Sequence, residues 1–394
     1  MPVLTARPNA TPRPLLRHGS VHRRLALLCA LIGPTLAVPA ASANETNGPD
    51  RARIASDTVE NVMRPAYAAL ADDALELARR TEASCTGDVA TDERADARSL
   101  TAAWTAAVTS LSGIEFLRIG PLLDDNRLNR LFYWPDKRRA GERQLRELLS
   151  EPAGSISAES MAARSVAVQG FPALERLLFP NGEVAISEAR CATAVAVAGH
   201  MAAISTALDR AWQAEDGIAR QMSEPRADDE LLRSHDEVLR RVATQLSTGL
   251  EIVLDRKLGP VLDGESARLR GLPFVRSGTL PAHLEGNIAA LQALMLDSGL
   301  AEAAGLADEL AFEFRIANGH LERLGTLLPP APPAVVGESG TAVRADEWPQ
   351  ALDDPQAGVV RALHSVMSSI RDTLRERLLP TLGIRTGFNS EDGD

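Results

Sequence analysis

Three features of the chain predict an all-α fold. Alanine, leucine, arginine and glutamate dominate, and aromatic residues make up only 4%, a composition of helix formers. Apolar residues recur at three- and four-residue spacing along most of the length. Alternating runs of valine, isoleucine and threonine, the mark of half-buried strands, are scarce. At 394 residues the chain also exceeds what one core serves comfortably, so two helical domains are expected.

The elements are taken in chain order. Residues 1–43 hold five arginines and no acid. Arg23-Arg24 leads into the apolar run Leu25–Ala40, which is broken by Gly33-Pro34 and closes on Ala41-Ser42-Ala43. Basic, apolar and small-residue portions in that order read as an export signal cut after Ala43. The run of about 16 residues is short for a bilayer span, and no later segment is expected to cross a membrane. Both the general secretory and the twin-arginine routes stay open. Without the leader the net charge goes from −11 to −16, since five cations and no anions leave. So acidic a chain lacks the electrostatic footprint for nucleic acid. The excess charge suits cations, or simply keeps the protein in solution.

A first helical domain is expected over 44–222. It opens on the stripe Val59, Val62, Met63, Ala66, Tyr67 and Leu70. The long loop Asn126–Ala140 and the Gly/Ser/Pro stretch 151–162 separate its helices. Glu115 and Arg118 stand three residues apart, a spacing that pairs charges along one helix face. Polar residues Ser223–Asp229 mark the boundary. A second helical domain follows over 229–394, with stripes Leu239–Leu254, Leu284–Met295 and Val359–Leu374. Pro329-Pro330-Ala331-Pro332-Pro333 is read as an extended surface connection.

The segment Gly170-Phe171-Pro172-Ala173-Leu174-Glu175-Arg176-Leu177-Leu178-Phe179 places a helix-breaking step inside an Ala/Leu-rich region. Proline lacks a backbone donor, so a helix should restart with Pro172 near its first position. Glu175 then falls in the first turn, where the dipole favours a negative charge. The carboxylate is either a ligand or hydrogen-bond acceptor beside a cleft, or a first-turn glutamate serving the dipole.

This segment resembles the Gly-x-His-x-x-Glu motif of the imelysin-like family, the M75 peptidase group. Further matches are Gly120-Pro121-Leu122, Asp125-Asn126-Arg127, Trp134-Pro135-Asp136-Lys137-Arg138, Arg190-Cys191, Arg276-Ser277-Gly278 with Asn287, and the tail Gly387–Asp394. The resemblance covers roughly residues 55–394. Pro172 stands where the family has histidine, so only Gly170 and Glu175 carry over from the motif. The resemblance implies two four-helix-bundle-like halves packed around a shared cleft, in a periplasmic protein of iron-regulated uptake. It implies iron, haem or an iron complex as ligand, and a periplasmic or membrane uptake partner. Glu175 would be the ligand or acceptor, a metal among its possible partners. Arg118 and Asp136 would position an anionic part of the ligand. Trp134 would wall a pocket or cap the bundle core.

Two cysteines remain after the leader, Cys85 and Cys191, and an even pair in an exported chain suggests one disulfide. Several chemistries are missing. There is no His-Glu-x-x-His, no Gly-x-Ser-x-Gly and no phosphate-binding glycine loop. His200, His235, His283, His320 and His364 never recur at four-residue spacing, and each is expected to be a scattered exposed side chain. The acidic tail Asn389–Asp394 has oxygen ligands for a hard cation, or is a frayed end. The expected function is binding without turnover. The alternatives are a metallopeptidase of the M75 type and a partner-docking module.

Overall fold

The computed structural model describes residues 49–86, 93–179, 188–262, 269, 271–329 and 351–385. The expected leader and the acidic tail lie outside them. Among the described residues the fold is all-α, with no extended strand. The principal helices are α1 (Arg64–Thr86), α2 (Glu93–Ile114), α3 (Ala140–Leu148), α4 (Gly170–Leu178) and α5 (Glu188–Gln213). They continue with α6 (His235–Glu251), α7 (Leu280–Leu296), α8 (Ala307–Leu327) and α9 (Asp354–Thr373).

Helices α1, α2 and α5 pack together, with α4 laid on α5; α6, α7, α8 and α9 form a second group. The two groups meet along α2 and α7. All four apolar stripes face inward. Val59, Tyr67, Leu246, Leu254, Ile288, Leu291, Leu363 and Ile370 are fully buried, in one continuous apolar core. Stripes of this kind are the main force holding helices in register. Among the described residues three π-helical turns interrupt the ladders, at Thr58–Met63, Ile252–Leu258 and Leu374–Leu378.

Helix ends follow ordinary capping chemistry. Asp353 and Gln356 form a reciprocal capping box before α9, and Ser234 accepts from the Glu237 amide before α6. The Cys85–Cys191 disulfide joins the end of α1 to the start of α5, across a Cα–Cα distance of 5.6 Å.

Two expectations change. Among the described residues one helix, Ala189–Gln213, is long and apolar enough to cross a membrane. It is the central helix of the first group, packed on α1 and α4, so its apolar length is used for burial. The region before Gly170 is also no long helix. It holds only short helical pieces, such as Ala158–Met161 and Val166–Val168, so the Gly-x-Pro step begins a short helix instead of interrupting a rod.

Candidate functional site

Helix α4 starts at Gly170, whose φ is +69°. A Cβ there would lie 2.2 Å from the Leu131 carbonyl oxygen and 2.3 Å from that of Arg130, so only glycine fits. This early start puts Pro172 third and Glu175 sixth in the helix. Glu175 therefore misses the first turn, and the dipole reading of this carboxylate is corrected. The far end of α4 is held by buried Arg190, whose Nε donates to the Leu177 carbonyl at 2.9 Å.

The Glu175 carboxyl is buried. Its Oε1 accepts from the Ser277 backbone N–H at 2.9 Å and from the Ser277 hydroxyl at 2.8 Å. With that proton committed, the 2.7 Å contact between Ser277 Oγ and Thr279 Oγ1 is a bond donated by Thr279. Trp104 Nε1–H in turn donates to Thr279 Oγ1 at 3.2 Å. The protons run in one direction, toward Glu175. Burial raises the Glu175 pKa, while the Ser277 bonds and the cations Arg276 and Arg176 oppose the rise. Trp104, Phe171, Phe179 and Phe274 pack edge and face around this chain, with centroids 5.6–6.3 Å apart.

The other expected residues divide. Trp134 Nε1 donates to the Gly271 carbonyl at 2.9 Å, and its ring stacks on Phe132. It caps the aromatic core and fastens the same Gly271–Thr279 turn that Glu175 holds. Asp136 receives the Ala140 and Gly141 amides at 2.8 and 2.9 Å, so its carboxylate caps α3. Arg176 stands 3.9 Å from it and donates to the Pro172 carbonyl at 2.6 Å. Gly170, Trp134, Asp136 and Glu175 thus share one neighbourhood. Arg118 is anchored to α6 through its backbone N–H, which donates to Gln245 Oε1 at 2.6 Å.

The expected Glu115–Arg118 pair does not form. Helix α2 ends at Ile114, so the two residues share no helix face. Glu115 turns inward to Lys257 Nζ, and Lys257 also donates to Asn287 Oδ1. Asn287 Nδ2 donates to Glu115 Oε1 at 2.8 Å and to the Ser112 carbonyl at 2.7 Å. His283, also expected on the surface, is wholly buried here, with Ser112 Oγ at its Nδ1 and Glu115 Oε2 3.8 Å from its Nε2. Burial lowers the pKa of both Lys257 and His283, and Lys257 adds to the lowering at His283. Serine, histidine and glutamate here have the outline of a hydrolase triad. However, the Nε2–Oε2 separation exceeds a hydrogen bond, and every member is sealed from solvent. His200 is likewise buried, with Nε2 3.0 Å from Gln169 Oε1.

Sequence reasoning passed over this second network because its partners lie 30 and 142 residues from Lys257. The match at Asn287 was its one visible sign.

A bare metal ion does not fit at Glu175. Its Oε1 is already doubly bonded, two guanidinium groups act on it, and no histidine accompanies it. Among the described residues no three His, Cys, Asp or Glu side chains converge to hold a metal ion.

A family model described as imelysin, of the M75 peptidase group, matches residues 63–366. No curated protein matches the chain. Among solved structures, the fold is similar to an imelysin-like protein from Psychrobacter arcticum. That match has TM-score 0.64 and 19% identity, covering 86% of this chain and 99% of the other. It is also similar to an iron-regulated protein A precursor from Parabacteroides distasonis, with TM-score 0.57, 11% identity, and 84% and 97% of the two chains covered. At these identities the likeness concerns the fold.

Proposed function

Because the chain belongs to the imelysin family, we propose that it is an exported, non-catalytic component of iron acquisition that binds an anionic iron complex where α4 meets the Gly271–Thr279 turn. What supports the reading most directly is the Glu175 carboxyl, enclosed, bonded to Ser277 and flanked by Arg176 and Arg276. Guanidinium groups beside Glu175, one of them shared with Asp136, favour a ligand that carries negative charge over a naked ion. Pro172 in the place of the motif histidine points the same way, by removing the donor that would bind iron directly. A solved relative of the same fold is named an iron-regulated protein precursor, and the leader at 1–43 supports export to the periplasm. On this reading Gly170 lets α4 start close to the Arg130–Leu131 backbone. Trp134 and Asp136 hold the surrounding loops.

The M75 peptidase alternative needs three protein ligands around an open metal position, and the donors around Glu175 are not of that kind. Thermal unfolding with ferric citrate, ferrous ion and haem tests the proposal. The ferric citrate complex should raise the melting temperature, since a ligand at one hundred times its Kd adds about 2.7 kcal/mol. The rise should shrink in Glu175→Gln. An undiminished rise in that variant removes Glu175 from the site, and chelator-sensitive cleavage of a protein substrate overturns the non-catalytic reading.

A further inference from the structure

Many surface arginines of this acidic chain are matched to carboxylates. Arg51 pairs with Asp236, Arg64 with Glu60, Arg164 with Glu151 and Arg377 with Glu309. One stretch concentrates five unmatched cations within ten residues. Lys137, Arg138, Arg139, Arg143 and Arg146 are all exposed, and none of their side chains makes an ion pair or hydrogen bond among the described residues.

Their placement is fixed by the fold. Asp136 caps the start of α3, and Arg139 enters the helix with φ of +49°. Along α3 the buried residues are Gly141, Leu145 and Leu148. At about 100° per residue, Arg139, Arg143 and Arg146 crest the opposite face. Glu142 and Glu147 lie on its two flanks, so the crest itself is cationic.

We propose that this strip, from Lys137 to Arg146, is a docking surface for an acidic, extended segment of a partner protein. A flat anionic membrane is the other class of partner with matching charge, and the observations favour it less. Helix α3 spends its apolar residues on the core, and among the described residues no large exposed apolar side chain lies between residues 124 and 230. An interfacial helix needs such residues to insert. A broad anionic surface also meets the negative charge of the whole molecule, which is −11 for the full sequence. A narrow acidic segment responds chiefly to charges within a Debye length of about 8–10 Å, and there it meets the crest. The inference is independent of the iron-binding proposal, because it involves neither Glu175 nor its cations.

Binding of a fluorescent oligoglutamate peptide to the folded full chain, followed by anisotropy, tests it. Saturable binding that weakens with added salt is expected. Exchanging Lys137, Arg138, Arg143 and Arg146 together for glutamine should weaken it about tenfold or more. The exposed side chains and the helix propensity of glutamine should leave the melting temperature unchanged. The pair Arg143→Gln and Arg146→Gln gives a smaller loss and stands in if the fourfold variant misfolds. The control exchanges four paired cations, Arg53, Arg79, Arg375 and Arg377, for glutamine. An equal loss in that control overturns the proposal. So does the absence of peptide binding, or binding to phosphatidylglycerol vesicles without binding to the peptide.

Discussion

Glu175 ionises against its surroundings. Burial raises its pKa from the ordinary 4.5, so the folded state binds this proton more tightly than the unfolded chain does. The stability contributed by that proton is complete below pH 4.5 and is lost as pH climbs through the raised folded-state value. Glu175→Gln keeps an oxygen for both Ser277 bonds and cannot ionise. Relative to the parent, its melting temperature should therefore improve as pH rises from 4.5. Glu175→Ala cannot ionise either and strands the Ser277 N–H and hydroxyl, so it should follow the same pH trend from a starting point about 1–3 kcal/mol lower. Urea midpoints across a pH series separate the two variants. This residue was legible from sequence because a glycine, a proline and an acid at fixed spacing form a local pattern. Lys257, His283 and Asn287 were mostly hidden. Each looks like an ordinary helix residue until Glu115, far away in sequence, comes to meet it.

At the scale of elements, the four apolar stripes were legible because helical spacing is itself the signal for burial. Helix starts were less so. Proline at the third position of α4 satisfied the expectation of a restart but misplaced it by two residues. What sets the true start is the contact of Gly170 with the Arg130–Leu131 backbone, which no local rule contains. Gly170→Ala meets both a carbonyl at 2.2 Å and a left-handed backbone. It should lose about 3 kcal/mol or more, measured as a fall in the denaturation midpoint. The π-helical turns were also invisible. Each adds a residue to a turn without leaving a composition signal, and the one at Ile252–Leu258 carries Lys257.

The molecule as a whole is two helical groups with a charged centre. Lys257 is fully buried and Glu115 nearly so, at 3% exposure, and the pair comes from opposite sides of the α2–α7 seam. Removing one partner leaves a charge stranded in the interior, so Lys257→Met or Glu115→Gln alone should cost about 3–5 kcal/mol. The double variant should recover part of that loss, and a double-mutant cycle from urea denaturation measures the coupling. The all-α class and the grouping into halves were readable from composition and family likeness. The seam chemistry was not, because helical periodicity reports which face is buried and says nothing of what it meets.

The bridge between Cys85 and Cys191 has a topological effect on top of its energetic one. Reduction should lower stability by about 2–5 kcal/mol, seen as a shift of the urea midpoint with dithiothreitol. The two sulfurs, 106 positions apart in sequence, also turn the stretch between them into a covalent ring. One backbone cut inside that ring linearises it and releases no fragment. A nicked molecule should therefore migrate as a single species on a denaturing gel, and fall into two pieces only when a thiol is added.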